Sequence, residues 1–198
     1  MSFANRASAK VFRDKLEIPV IQGGMGVGIS MGKLAGSVAA CGGMGVISTA
    51  LIGFREEDFY QNHVEADVRA LRKEIQIAKE IANGRGMIAI NAMTVTTDYR
   101  ECIEAAVREG IDAIISGAGL PLALPELVDG KDVLIAPIVS SAKAAALIMR
   151  SWNKKCERKP DFIVVEGSGA GGHLGFKKEE LLEKSYKPLT EIVSDVVN

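Results

Sequence analysis

Cysteine is scarce in this chain, and no pair of cysteines has a metal-binding spacing. Cys41, Cys102 and Cys156 are odd in number, far apart and never in a C-x-x-C. That pattern argues against a disulfide scaffold and against a zinc site, and it suits reduced thiols in a cytosolic protein. An excess of one charge is also missing. Lys and Arg total 24, Asp and Glu total 25, and the net charge is −1 at pH 7. No basic surplus points to nucleic acid or to an anionic membrane as partner. Long apolar runs are absent too: none approaches the ~20 residues that span a bilayer. The opening stretch "MSFANRASAKVFRDKLEIPVI" has no continuous apolar segment of the kind found in secretory signals.

What remains is ordinary for a globular protein with one core: 198 residues, 47% hydrophobic and 25% charged. The charged stretches 55–58 and 177–180 read as solvated faces or helix starts. Six short runs rich in β-branched and apolar residues stand out, at 18–21, 45–48, 87–91, 113–116, 133–137 and 162–166. They are continuous rather than alternating, as strands buried on both faces of a parallel sheet are. Between them lie helical patterns. Val68, Leu71, Ile75, Ala78 and Ile81 recur at helical spacing. So do Cys102, Ile103, Ala106 and Val107, and then Ala144, Leu147 and Ile148 behind the candidate caps Ser140 and Ser141. Strand and helix in alternation predict an α/β fold with right-handed crossovers. No linker divides residues 1–198, which read as a single domain.

Ligands of parallel α/β folds bind at the carboxyl ends of the strands. Those ends read "QGGMGVG" (22–28), "STA" (48–50), "NAMT" (91–94), "SGAG" (116–119), "VSSA" (139–142) and "EGSGAGGH" (166–173). Any single loop of this kind can be a plain glycine turn. The set together suits a floor on which a bulky ligand lies against backbone. "GSGAGG" (167–172) matches G-x-G-x-x-G, but it follows the last strand, and four residues separate it from any helical pattern. A dinucleotide fingerprint instead opens the first βα unit and runs straight into a helix, so that reading fits poorly. "GGMGV" occurs twice, at 23–27 and at 42–46. The first copy follows a strand and is placed to face a ligand. The second precedes Val46 and Ile47 and is expected to allow close helix–strand packing.

In order and spacing, "IPVIQGGMG" (18–26), "INAM" (90–93), "SGAG" (116–119) and "VEGSGAGGHLG" (165–175) resemble the nitronate monooxygenase family, formerly called 2-nitropropane dioxygenases. The same motifs are shared by a close relative, the FMN-dependent enoyl-acyl-carrier-protein reductase II. The resemblance covers the whole chain. It implies a TIM-type (β/α)8 barrel holding FMN at the carboxyl ends of its strands; periodicity alone equally allows an open doubly wound sheet. Carried over residue by residue, Gln22, Gly23, Gly24 and Met25 lie beside the isoalloxazine ring, Asn91 bonds the flavin's polar edge and Gly117 lines the same pocket. Gly171 and Gly172 let the backbone pass close to the cofactor, and His173 is the catalytic base. Glu166 stands where many relatives have a flavin-contacting glutamine. An ionised carboxylate beside a reduced flavin is repulsive, so Glu166 is expected to be protonated or turned away.

Chemistry supports the role of His173. A neutral imidazole accepts a proton near pH 7, and the carbon bearing a nitro group is acidic enough to yield one. The plain alternative is a histidine that only bonds a loop carbonyl. His63, in the charged stretch "QNHVEAD", reads as surface, and Cys41 and Trp152 as core. A full barrel has eight βα units in typically ~250 residues, so the expectation is a barrel short of its last units after about six. Its final apolar stripe is Leu189, Ile192, Val193, Val196 and Val197. Such a sheet has free edges and is expected to associate, with a homo-oligomer as one form. The implied activity is oxidation of nitronates or nitroalkanes by oxygen. The alternatives are enoyl-thioester reduction with NAD(P)H and a barrel that binds without turnover. The long connection 51–76 tilts the choice towards the monooxygenase.

Overall fold

The computed structural model describes Phe12 and residues 14–198. The expectation that the opening stretch holds no signal segment concerns positions that, through Val11, lie outside the described residues. Among the described residues five parallel strands form one sheet in chain order: β1 (Met44–Ser48), β2 (Met87–Met93), β3 (Ala113–Gly117), β4 (Leu134–Val139) and β5 (Val164–Val165). The helices are α1 (Gly32–Ala40), α2 (His63–Ala82), α3 (Tyr99–Arg108), α4 (Leu124–Leu127), α5 (Ala142–Cys156), α6 (Lys178–Leu182) and α7 (Leu189–Val197). The register begins Met44↔Met87, Ala89↔Ala113 and Ala113↔Leu134, and closes with Val139↔Val165. Consecutive strands pairing as neighbours, each followed by a helix, is the order of a (β/α)8 barrel rather than of a doubly wound sheet, whose strand order reverses.

Period-2 geometry explains why the strand sequences are continuously apolar. Met44, Val46, Met87, Ala89, Ala113, Ile115, Leu134 and Ala136 form one cluster on the inner face, with Phe12, Leu16 and Phe162 against it. Their alternates Ile47, Ile88, Ile90, Ile114 and Ile135 face the helices, where Leu71, Ile75, Ile103, Ile148 and Trp152 complete the core. Trp152 is fully buried, as expected, and its indole donates to the Pro121 carbonyl at 2.8 Å. The second "GGMGV" does what its position suggested. A Cβ on Gly45 would stand 1.8 Å from the Ala35 carbonyl oxygen, so α1 lies directly on β1.

Several local expectations are corrected. The first run, 18–21, makes a single bridge, Ile21↔Met44, instead of a full strand. The run at 162–166 shrinks to two strand residues, Val164 and Val165, which pair with Ile138 and Val139 of β4. Ser141 alone caps α5, accepting from the Ala144 N–H at 3.2 Å, while Ser140 faces elsewhere. Cys41 is exposed, because it caps the end of α1 where the chain leaves the helix and sits on no packed face. Of the final stripe only Ile192 is buried, with Val196 packed on the core; Leu189, Val193 and Val197 stay exposed. Ile81 and Leu147 are likewise exposed, each at the margin of its helix's buried face. Among the described residues no helix is long and apolar enough to cross a membrane.

Candidate functional site

Alternation along the strands assigns the inner face at their carboxyl ends to Ser48, Asn91, Gly117 and Glu166, the continuations of Val46, Ala89, Ile115 and Val164. The segment before β1 reaches the same end. Met44 N–H donates to the Val20 carbonyl at 2.9 Å and Gln22 N–H to the Met44 carbonyl at 3.0 Å. The next rung is made by a side chain. Gln22 Nε2 donates to the Val46 carbonyl at 3.0 Å, and Val46 N–H donates to Gln22 Oε1 at 3.3 Å. One rung further, Ser48 N–H donates to the Ser30 carbonyl at 2.9 Å. Residues 23–29 therefore bulge out as a loop while both its ends stay bonded along the edge of β1.

Within that loop the Ser30 hydroxyl is fully buried and saturated. It accepts from Gln22 Nε2 at 2.8 Å and from Met25 N–H at 2.9 Å, and it donates to the Gly23 carbonyl at 3.0 Å. The loop leans on β2: Asn91 Nδ2 donates to the Gly24 carbonyl at 3.3 Å, and a Cβ on Gly24 would meet Asn91 Cβ at 2.4 Å. Gln22, Gly23, Gly24, Met25 and Asn91 are thus brought together, with Ser30 as the hub that local spacing did not reveal. Gln22 contributes an amide that is already engaged by the chain. Gly117 closes the floor further along, where a Cβ would stand 2.9 Å from the Ile138 side chain.

A second cluster holds the loop 167–175. Glu166 Oε2 accepts from Gly175 N–H at 2.8 Å, and Ser140 Oγ donates to the Gly175 carbonyl at 2.6 Å. The carboxylate therefore turns to the loop backbone. Between these anchors Gly171, Gly172 and His173 are exposed, and a Cβ on Gly171 or Gly172 would meet nothing within 4 Å. Gly172 adopts a φ of +87°, which favours glycine. Among the described residues no hydrogen bond joins this cluster to the one around Asn91.

Beside the site, on the helix side, lies a buried acidic pair. Asp67 on α2 accepts from Gly53 N–H at 2.6 Å, and Cys102 Sγ donates to Asp98 at 3.1 Å. Burial pushes the Asp67 carboxyl up to about 6 against the opposing Gly53 N–H, with the Asp98 carboxyl adding to the rise. Burial also pushes the Cys102 thiol up, so it is inert as a nucleophile. His63 is exposed, as expected, and its ring bonds the Thr97 hydroxyl at 3.0 Å. Among the described residues no group of three or more His, Cys, Asp or Glu side chains is placed to hold a metal.

The sequence profile of the family described as nitronate monooxygenase matches residues 9–198. The chain belongs to that family. No curated protein matches it. Among solved structures this nitronate monooxygenase family chain is similar to FabK from Thermotoga maritima, at 23% identity and a TM-score of 0.64, over 84% of this chain and 46% of that one. It is also similar to a nitroalkane oxidase from Streptomyces ansochromogenes, at 14% identity and a TM-score of 0.71, over 93% of this chain and 56% of that one. The chain spans about half the length of each. At these identities the likeness shows the shared fold.

Proposed function

We propose that the chain forms the ring-binding side of an FMN-dependent (β/α)8 oxidoreductase that oxidises nitronates and nitroalkanes with oxygen, with His173 as general base. The observation that carries this reading is the pattern of glycine packing at the carboxyl face. Gly24, Gly117 and Gly175 are pressed against side chains, whereas Gly23, Gly171 and Gly172 border open space. Bare backbone left facing open space on two loops suits a flat ring that lies against it. The Asn91 amide on the inner face suits the ring's polar edge. The residues present therefore fit the ring end of FMN, and the phosphate-gripping turns of such a barrel follow strands seven and eight.

Ser30 and Gln22 hold in shape the first loop, which would carry the ring. Asn91 and Gly24 set the depth of the floor. The chemistry FMN supplies when bound is acceptance of electrons from the nitronate and their delivery to oxygen. His173 Nδ1 or Nε2 would take the proton from the carbon that bears the nitro group, and its exposed loop leaves the imidazole open to that carbon. A substrate that arrives as the nitronate has already lost this proton.

That difference supplies the test. The purified protein is examined for flavin absorbance with and without added FMN, then assayed for oxygen consumption without nicotinamide. Bound flavin with turnover of both substrate forms is expected. His173→Asn should remove most turnover of the neutral nitroalkane and spare much of that of the preformed nitronate. NAD(P)H oxidation driven by an enoyl thioester, with no nitronate turnover, would replace this reading with the reductase. Folded protein that takes up no flavin would end the ring-floor assignments.

A further inference from the structure

We infer that Ser140 is a positioning residue for His173, acting through Gly175; this rests on the reading of His173 as the base. Ser140 and Ser141 both stand just after β4, yet they do different things. Ser141 caps α5 through the Ala144 N–H. Ser140 turns to the glycine loop and donates to the Gly175 carbonyl at 2.6 Å. From β5's end, Glu166 takes the N–H of the same residue at 2.8 Å. One peptide position is thereby gripped at both of its polar groups, by side chains from the carboxyl ends of two adjacent strands.

The grip also explains why position 175 is glycine. A Cβ there would stand 2.4 Å from Ser140 Oγ and 3.4 Å from Glu166 Oε2, so any other residue would open the clasp. Its φ is not in the left-handed region, so the requirement is steric. The neighbours need glycine for no such reason: Gly169 and Gly171 would meet nothing within 4 Å. Gly167 at the other end packs on α7, where a Cβ would stand 3.2 Å from Leu189. The loop is therefore pinned at residues 167 and 175 and bare between them. His173 lies two residues from the stronger pin, and no other described residue hydrogen-bonds its ring. The clasp is the near constraint on where that imidazole stands, and small displacements of a base from its proton lower rates steeply.

The same clasp gives Glu166 a task that needs an acceptor oxygen and no negative charge. An amide at this position can accept the Gly175 N–H through its carbonyl, so Glu166→Gln should keep the clasp closed.

The test compares Ser140→Ala, Ser140→Thr, Ser141→Ala and Glu166→Gln in the full chain. The first readout needs neither cofactor nor turnover: amide hydrogen exchange across residues 172–175. Exchange there should accelerate in Ser140→Ala, stay protected in Ser140→Thr and Glu166→Gln, and be unmoved in Ser141→Ala, which removes only a helix cap. The second readout is turnover of neutral nitroalkane. Ser140→Ala should lower kcat by about tenfold or more with KM little changed, and Ser140→Thr should restore it. In the His173→Asn background Ser140→Ala should have no further effect, because a residue acting through His173 has nothing left to position. Unchanged exchange in Ser140→Ala overturns the clasp, whatever the activity. Equal losses in the wild-type and His173→Asn backgrounds, or an equal loss in Ser141→Ala, overturn the link to His173. Altered exchange in a protein with no nitroalkane turnover leaves the clasp standing and overturns both the link to catalysis and the functional reading it rests on.

Discussion

Gln22 Nε2 donates to Ser30 Oγ at 2.8 Å across eight positions of chain, and the same amide bonds both polar groups of Val46. A glutamine side chain thus makes the ladder rung that the main chain abandons when it leaves the sheet edge at residue 23. The arrangement satisfies β1's free edge groups, which a bulging loop would otherwise leave exposed.

Ser30→Ala should therefore be felt twice. The fully buried hydroxyl is the only described partner of the part-buried Met25 N–H, so its loss removes that donor's acceptor and the contacts to Gln22 and Gly23 together. Loss of hydrogen bonds of this kind destabilises by about 1 kcal/mol, readable as a lower urea midpoint at unchanged slope. The loosened loop should also bind FMN about tenfold more weakly, or about 1.4 kcal/mol, measured by quenching of flavin fluorescence. Ser30→Thr, which keeps the hydroxyl, should recover more of the affinity than Ser30→Cys.

Gly45→Ala tests the contact of α1 with β1. The added methyl would stand 1.8 Å from the Ala35 carbonyl oxygen and 2.4 Å from its carbonyl carbon, both backbone atoms that no rotamer change can move. The helix must shift as a body. Overpacking of this kind costs about 3 kcal/mol or more, and chemical denaturation against Gly23→Ala, where open space surrounds the position, measures the difference.

Asp67 makes stability depend on pH in the direction opposite to that of a salt-bridged carboxylate. Its folded value of about 6 lies above the ordinary 3.8, so the folded state holds the proton more tightly than the unfolded chain. That contribution is full below pH ~4 and is lost as pH rises through about 6. The loss is on the order of 3 kcal/mol. Asp67→Asn keeps an oxygen for the Gly53 N–H and offers an N–H to Asp98 without titrating. Thermal melting of this variant between pH 4 and 7.5 should lack the decline of the parent, and the variant should be the more stable of the two at pH 7.5. A parent that gains stability across that interval would contradict the assignment.

Much of the architecture was legible in the sequence because it rests on local and periodic properties. The continuous apolar runs at 87–91 and 113–116 require burial on both faces, which a parallel sheet covered by helices supplies. The heptad-like spacing from Val68 to Ala78 requires a helix with one packed face. "GSGAGGH" could be recognised as a loop that presents a histidine because glycine's conformational range is a property of the residue itself. Ser30, Ser140 and the acid pair Asp67 and Asp98 could not be read in this way. Their partners lie 35 positions away for Ser140 and 14 for Asp67, and even Ser30's nearest partners face it only because seven residues bulge outward first. Two adjacent serines after β4 look alike in sequence; the direction in which β4 ends sends one to a helix cap and the other to Gly175. The sequence by itself determined where β1 to β4 and the helices α2, α3 and α5 run, because each shows its burial in its own periodicity, whereas the runs at 18–21 and 162–166 kept only the pairing their neighbours allowed. Tertiary structure alone decided which polar groups meet, because hydrogen-bond partners are chosen by the positions of whole elements in space and carry no fixed spacing along the chain.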